Sequence, residues 1–108
     1  MRIITLDTKN QVVENVSRYR GTVNSSVLRA AEIFRSAVIR NCPGVIVCHN
    51  HPSGDPTPSE ADIKVTRDLI RAGQLLKIEV LDHIILGRAT PERSRDYVSL
   101  RELGFFYS

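Results

Sequence analysis

A layered α/β domain built around a mixed sheet is the fold class this 108-residue sequence predicts. Three observations carry that reading. A pair of short β-branched runs opens the chain, two stretches with helical apolar spacing follow, and each of those leads into a further apolar run. The order is therefore β-β-α-β-α-β. An apolar content of 42% over this length suits one core, so a single domain over residues 1–108 is expected.

Ile3, Ile4 and Leu6 form the first strand, the turn-favouring Thr8-Lys9-Asn10 reverses the chain, and a second strand runs from Val12 to Tyr19. Gly21 closes that strand. Asn24-Ser25-Ser26 leads into a helix whose apolar positions, Ile33, Phe34, Ala37 and Val38, predict one buried stripe ending at Asn41 and Pro43-Gly44. Val45-Ile46-Val47-Cys48 is apolar throughout, as expected of an interior strand covered on both faces. A stiff loop containing Pro52, Pro56 and Pro58 comes next. Thr57 as N-cap, Pro58 at the first helical position and Glu60 at the third predict the start of the second helix. It is expected to run to about Ala72-Gly73, with Ile63, Thr66, Leu69 and Ile70 on its inward face. A strand from about Glu79 to Leu86 carries Asp82 and His83, Gly87 to Arg95 reads as a polar loop, and Val98-Ser99-Leu100 begins a closing element.

The chemistry is concentrated between His49 and Asp62, in the string His-Asn-His-Pro-Ser-Gly-Asp-Pro-Thr-Pro-Ser-Glu-Ala-Asp. Strand side chains alternate, so His49 and His51 project to one side while Cys48 and Asn50 project to the other. Asp62 arrives from the first turn of the following helix, where the positive end of the helix also favours a carboxylate. Two imidazoles and a carboxylate supply three of zinc's four ligands and leave one position for water. A lone His-x-His is ordinarily a pair of strand-end histidines; the added carboxylate and the rigid loop turn this one into a predicted metal site. It would lie at the carboxyl end of the central strand, where open α/β sheets bind their ligands.

His49, His51, Ser59 and Asp62, spaced His-x-His-x7-Ser-x2-Asp, are similar to the JAMM signature of MPN-domain zinc metalloproteases. The longer string from His49 to Ser59 resembles the bacterial RadC family. Agreement extends to Leu6-Asp7-Thr8-Lys9-Asn10, Gly21-Thr22-Val23-Asn24-Ser25-Ser26, Leu81-Asp82-His83-Ile84-Ile85 and Val98-Ser99-Leu100-Arg101-Glu102, and so covers nearly the whole chain. The resemblance implies a three-layer α/β/α cytidine-deaminase-like fold, a Zn2+ ion held by His49, His51 and Asp62, and hydrolysis of a peptide or isopeptide-like bond. It puts Ser59 beside the attacked carbonyl, steadying its charge; with Thr57 as the cap, the Ser59 hydroxyl would be free to face the ion. JAMM proteases take their base from an upstream glutamate. Glu32 is the first candidate, although the family pattern usually reads Pro-Arg-Glu where this chain has Ala30-Ala31-Glu32, and Glu14 is the second. RadC proteins usually also carry an N-terminal helix-hairpin-helix region without a counterpart in this sequence, so an isolated domain or a short relative is expected.

Two other function classes compete. The net charge of +3 and pI near 9.2 come from fifteen basic and twelve acidic residues spread along the chain, which permits nucleic-acid contact without arguing for it. Lys64, Arg67 and Arg71 recur on one side of the second helix, with Glu60 placed to pair with Lys64, as on a solvated face. A DNA-repair-associated or DNA-binding accessory role is the second class, and a catalytically inactive, metal-bound interaction module is the third. The letters His-Asn-His match HNH nucleases by coincidence, and deaminase chemistry lacks its His-x-Glu and Pro-Cys-x-x-Cys elements. Cys42 and Cys48 are expected to be reduced thiols. His83 reads either as a satisfied core histidine or, with Asp82, as a pair near the metal, and Asp55 either orients His51 or simply forms a turn. The sequence has neither a membrane-length apolar run nor a secretory leader, so a cytoplasmic, soluble protein is expected.

Overall fold

Asp7 makes the first turn. Its Oδ1 accepts the backbone N–H of Lys9 at 2.8 Å and of Gln11 at 2.9 Å, and Asn10 takes the left-handed conformation with φ 59°. That turn joins β1 (Arg2–Leu6) to β2 (Val12–Ser17) in the computed structural model, which describes residues 1–18 and 28–106. Then follow α1 (Ala30–Ile39), β3 (Gly44–Asn50), α2 (Glu60–Leu76), β4 (Glu79–Leu86) and β5 (Tyr97–Ser99). Tyr19, Gly21 and Asn24-Ser25-Ser26, read above as a strand end and a helix approach, lie outside the described residues.

The strands form one sheet in the order β2-β1-β3-β4-β5. β1 runs antiparallel to both β2 and β3, β3 is parallel to β4, and β5 is antiparallel to β4. A parallel pair cannot close through a tight turn, so β3 and β4 are joined by the long crossover through α2. This is the predicted α/β class with a mixed sheet. Of the three layers that the resemblance implies, the described residues form two: the sheet and a helical layer on one of its faces. Ile3, Val45 and Val47 from the sheet, Ile33, Phe34 and Ala37 from α1, and Val65 and Leu69 from α2 join in a single core beneath both helices.

Three expectations about the helices need correction. Val38 is 59% exposed, and the buried partner of Ala37 is Ser36, whose hydroxyl accepts a hydrogen bond from Arg18 at 3.3 Å. Burial there follows the available partner rather than apolar identity. Gly73 does not end α2 either. A Cβ at that position would stand 2.4 Å from the Ile78 carbonyl oxygen, so glycine serves a close approach inside the helix, which continues to Leu76 and stops at the left-handed Lys77, φ 59°. The start of α2 also differs, for reasons that belong to the site below. Cys42 and Cys48 are free thiols. No helix among the described residues is long and apolar enough to cross a membrane.

Candidate metal centre

The β-branched run of β3 carries the chain through the core and releases it at Asn50, with His49 in register with Ile85 of β4. His51 prolongs the ladder, its N–H donating to the Leu86 carbonyl at 2.9 Å. The proline-rich loop then folds back onto the end of β4, where the Arg88 N–H donates to the Gly54 carbonyl at 2.6 Å. Gly87 permits this approach: a Cβ on it would lie 2.3 Å from the Gly54 oxygen and 2.8 Å from Pro56 Cδ. Arg93 ties down the same loop through the Gly54 carbonyl at 3.1 Å and the Asp55 carboxylate at 3.4 Å.

Within the loop, Asp55 Oδ1 accepts both the Thr57 N–H, at 3.0 Å, and the Thr57 hydroxyl, at 2.7 Å. Thr57 is thereby committed to Asp55 and does not cap α2, contrary to the sequence expectation. Ser59 is the cap. Its Oγ accepts the Asp62 N–H at 3.1 Å while Asp62 Oδ2 accepts the Ser59 N–H at 2.8 Å, so Asp62, not Glu60, completes the capping box. The Ser59 hydroxyl is therefore engaged with the backbone as an acceptor. Its own proton is not consumed by that bond.

The capping box aims Asp62 at the two histidines. Oδ1 lies 3.1 Å from His49 Nε2 and Oδ2 lies 3.0 Å from His51 Nε2. All three side chains offer ligand atoms within 4.8 Å of one another, and His49 and Asp62 are buried. Bonds of about 2.0–2.2 Å to a transition metal would separate such ligand atoms by roughly 3–3.5 Å, which matches. His51 faces an acceptor at each ring nitrogen, the Asp55 backbone carbonyl 2.9 Å from Nδ1 and Asp62 Oδ2 3.0 Å from Nε2, so a cation at Nε2 would leave Nδ1–H to donate to Asp55. His49 Nε2 is buried and has no aligned hydrogen-bond partner despite the nearby carboxylate. A cation between the three side chains would take the place of protons on the two Nε2 atoms. The His-His-Asp group could hold a metal ion.

Burial pushes the His49 pKa below its ordinary value, aided by the neighbouring His51 and opposed by Asp62. For Asp62, burial acts upward but is outweighed by hydrogen bonds from Ser59 and by the two imidazoles, so its carboxyl titrates below the usual range. His83 is pushed to about 3, chiefly by burial. Ligands held deprotonated are what a metal requires. The same shifts make the metal-free protein acid-sensitive. A histidine whose pKa is lower in the folded than in the unfolded chain costs nothing above the unfolded value, near 6.5; below it the unfolded chain takes up the extra proton. Denaturant titrations in chelator should show stability falling from about pH 6.5 downward, by up to about 1.4 kcal/mol per pH unit for each of the two histidines, with Asp62 adding to the loss at lower pH. A flat profile between pH 7 and pH 5 would contradict a buried neutral His83.

His83 and Asp82 do not act as a pair. His83 points toward the site, its Nε2 2.8 Å from His49 Nδ1. Asp82 instead organises the closing turn, accepting the Ser99 hydroxyl at 2.6 Å and the Arg101 N–H at 3.2 Å. Thr66, read from sequence only as an inward-facing helix residue, is buried with Oγ1 2.6 Å from His83 Nδ1. The available signal was a hydroxyl in an apolar stripe, since a buried polar atom implies a partner. Glu32 stands half-buried in the first turn of α1 and outside the converging group. Glu14 is bonded to Arg40 at 3.2 Å, and the strand registers set it level with Thr5 and Val45, about 13 Å down β3 from His49. Lys64 pairs with Asp68 at 3.1 Å rather than with Glu60.

Over residues 1–105 the chain matches the RadC-like JAB domain family. It is 52% identical over 104 residues to a UPF0758 protein of Chloroflexus aurantiacus, covering 96% of this chain and 43% of that protein. A UPF0758 protein of Roseiflexus castenholzii is 48% identical over 107 residues, covering 99% of this chain and 43% of that protein. One from Clostridium botulinum is 41% identical over 105 residues, covering 97% and 43%. The chain thus spans less than half the length of these curated relatives.

Proposed function

The chain belongs to the RadC-like JAB domain family, and on that footing we propose that it is a zinc-dependent hydrolase of peptide or isopeptide-like amide bonds. The observation that carries this reading is the convergence of two imidazole nitrogens and one buried carboxylate. Zinc is favoured because two nitrogen ligands and one oxygen ligand are the donor set of hydrolytic zinc sites. When bound, the ion would act as a Lewis acid, making a water acidic enough to lose its proton near neutral pH. His49, His51 and Asp62 would hold the ion. The exposed Ser59 keeps a hydroxyl proton to donate to the oxygen of the attacked amide, while its Oγ stays fixed by the Asp62 N–H. Glu32 is the proposed base that takes the proton from water and returns it to the leaving amine. In support, α1 is about 15 Å long, roughly the span of β3 from Gly44 to His49, so a helix returning antiparallel to β3 would bring its first turn level with the site.

Glu32→Gln separates this reading from an inert metal-holding module. The zinc-loaded parent should cleave members of a panel of isopeptide-linked and short peptide substrates, and Glu32→Gln should keep its zinc while losing about 100- to 10,000-fold in rate. Cleavage by the variant at the parental rate would remove Glu32 from the mechanism. A zinc-loaded parent without turnover across the panel would favour the module.

A further inference from the structure

We infer that Arg88 is a substrate-binding residue that recognises a carboxylate carried by the substrate within about three residues of the cleaved bond. The inference rests on the hydrolase reading above and adds to it a class of substrate. Arg88 opens the polar loop between β4 and β5, at the same end of the sheet as the three candidate ligands. Ile85 lies beside His49 and Leu86 beside Asn50, so three residues, no more than about 10 Å of chain, lead from the level of His49 to Arg88. The link to the metal loop is direct. The Arg88 N–H donates to the Gly54 carbonyl at 2.6 Å, and the Gly54 N–H donates to the His51 carbonyl at 2.9 Å.

The side chain follows its backbone onto that loop. A Cβ on Gly54 would stand 3.1 Å from Arg88 Nε and 3.7 Å from Arg88 Cζ, so the guanidinium lies across the bare Cα of Gly54, whose φ is 86°. Glycine there serves both the turn and the cation laid over it. Three arginines belong to the β4–β5 loop, and two of them are neutralised in place. Arg93 pairs with Asp55 at 3.4 Å and also donates to the Gly54 and Arg88 carbonyls, while Arg95 pairs with Glu102 at 2.8 Å. Arg88 is exposed, and among the described residues its guanidinium has neither an ion-pair nor a hydrogen-bond partner; Glu92 and Asp96, the acids of its own loop, form no ion pair with it. One uncompensated cation thus borders the metal loop, its planar fork of donors open to a carboxylate that would accept two hydrogen bonds. An extended peptide advances about 3.3–3.6 Å per residue, so a carboxylate meeting Arg88 belongs to a residue within about three of the bond held at the metal. Either an acidic side chain or the free C-terminus of a peptide supplies that group.

Short peptides with amidated C-termini, carrying a single Glu or Gln at successive positions around the cleaved bond, test the inference together with a neutral peptide whose C-terminus is free. The zinc-loaded parent should cleave one of the carboxylate-bearing peptides with a kcat/KM about 3- to 10-fold above that of its Gln or amidated counterpart, mostly through KM. Arg88→Met keeps the stem packed over Gly54 and removes the charge, and it should bring that ratio to about one. Arg88→Glu should reverse the preference in favour of Lys at the same position. A residue that only steadied the loop would change all rates together and leave the ratio alone. In the metal-free parent, kept in chelator, the carboxylate-bearing peptide should move the Arg88 Nε–H resonance, and its uncharged counterpart should leave it in place. Equal ratios in parent and Arg88→Met, or an Arg88 resonance indifferent to the carboxylate, would overturn the inference. A zinc-loaded parent that cleaves nothing while the resonance responds would refute the hydrolase and leave the carboxylate site standing.

Discussion

Asp62→Asn is expected to strip the protein of its stoichiometric metal while leaving the fold in place. Asparagine keeps the size of the side chain and an oxygen that accepts the Ser59 N–H, so the cap on α2 survives. What disappears is the negative charge facing His49 at 3.1 Å and His51 at 3.0 Å. The loss in zinc affinity should exceed the 10- to 100-fold typical of groups that merely support a ligand. In chelator the variant should be destabilised by no more than about 1 kcal/mol, the range of a weakened helix cap. Elemental analysis after dialysis against limiting zinc checks the first statement, and melting curves of the metal-free proteins check the second. Equal zinc in parent and variant would mean that Asp62 is no ligand.

Phe34→Ala should produce the largest loss of stability. Phe34 is 1% exposed and belongs to the core that both helices share with the sheet; its ring tip would lie 3.4 Å from a Cβ on Gly73 of α2 and so reaches across to the second helix. Truncating a buried phenylalanine costs about 3–5 kcal/mol, because the transfer energy is lost and a cavity remains. Against the roughly 5–15 kcal/mol that holds a domain of this size together, that is a large fraction, and the melting temperature should drop by well over 10 °C. Urea denaturation measures it directly. A change below about 1 kcal/mol would show that α1 is not anchored through this side chain.

The strand pattern and the three candidate ligands were legible because each rests on short-range rules. Alternation put His49 and His51 on one side, and the run Val45-Ile46-Val47-Cys48 announced an interior strand that is in fact flanked by β1 and β4. The bounds of β4, Glu79–Leu86, coincide with the expectation. Tertiary contacts decided the features that were misread. Thr57 and Ser59 are equally good caps by identity, and the choice fell to Asp55, which captures Thr57 from within the loop. Gly73 carries the usual mark of a helix end, yet the nearby Ile78 carbonyl is what excludes a side chain there. Val38 fits the apolar spacing of α1 and still faces outward, because Arg18 supplies a partner for buried Ser36. The contacts of His83 with His49 and Thr66 join residues far apart in the chain, and no local pattern encodes them.

Diffraction at the zinc absorption edge from crystals grown with one equivalent of zinc tests the central claim most directly. The account predicts one anomalous peak per chain, about 2.0–2.2 Å from His49 Nε2, His51 Nε2 and an Asp62 carboxylate oxygen. A peak elsewhere, or none at full zinc loading with those three side chains turned apart, would contradict it.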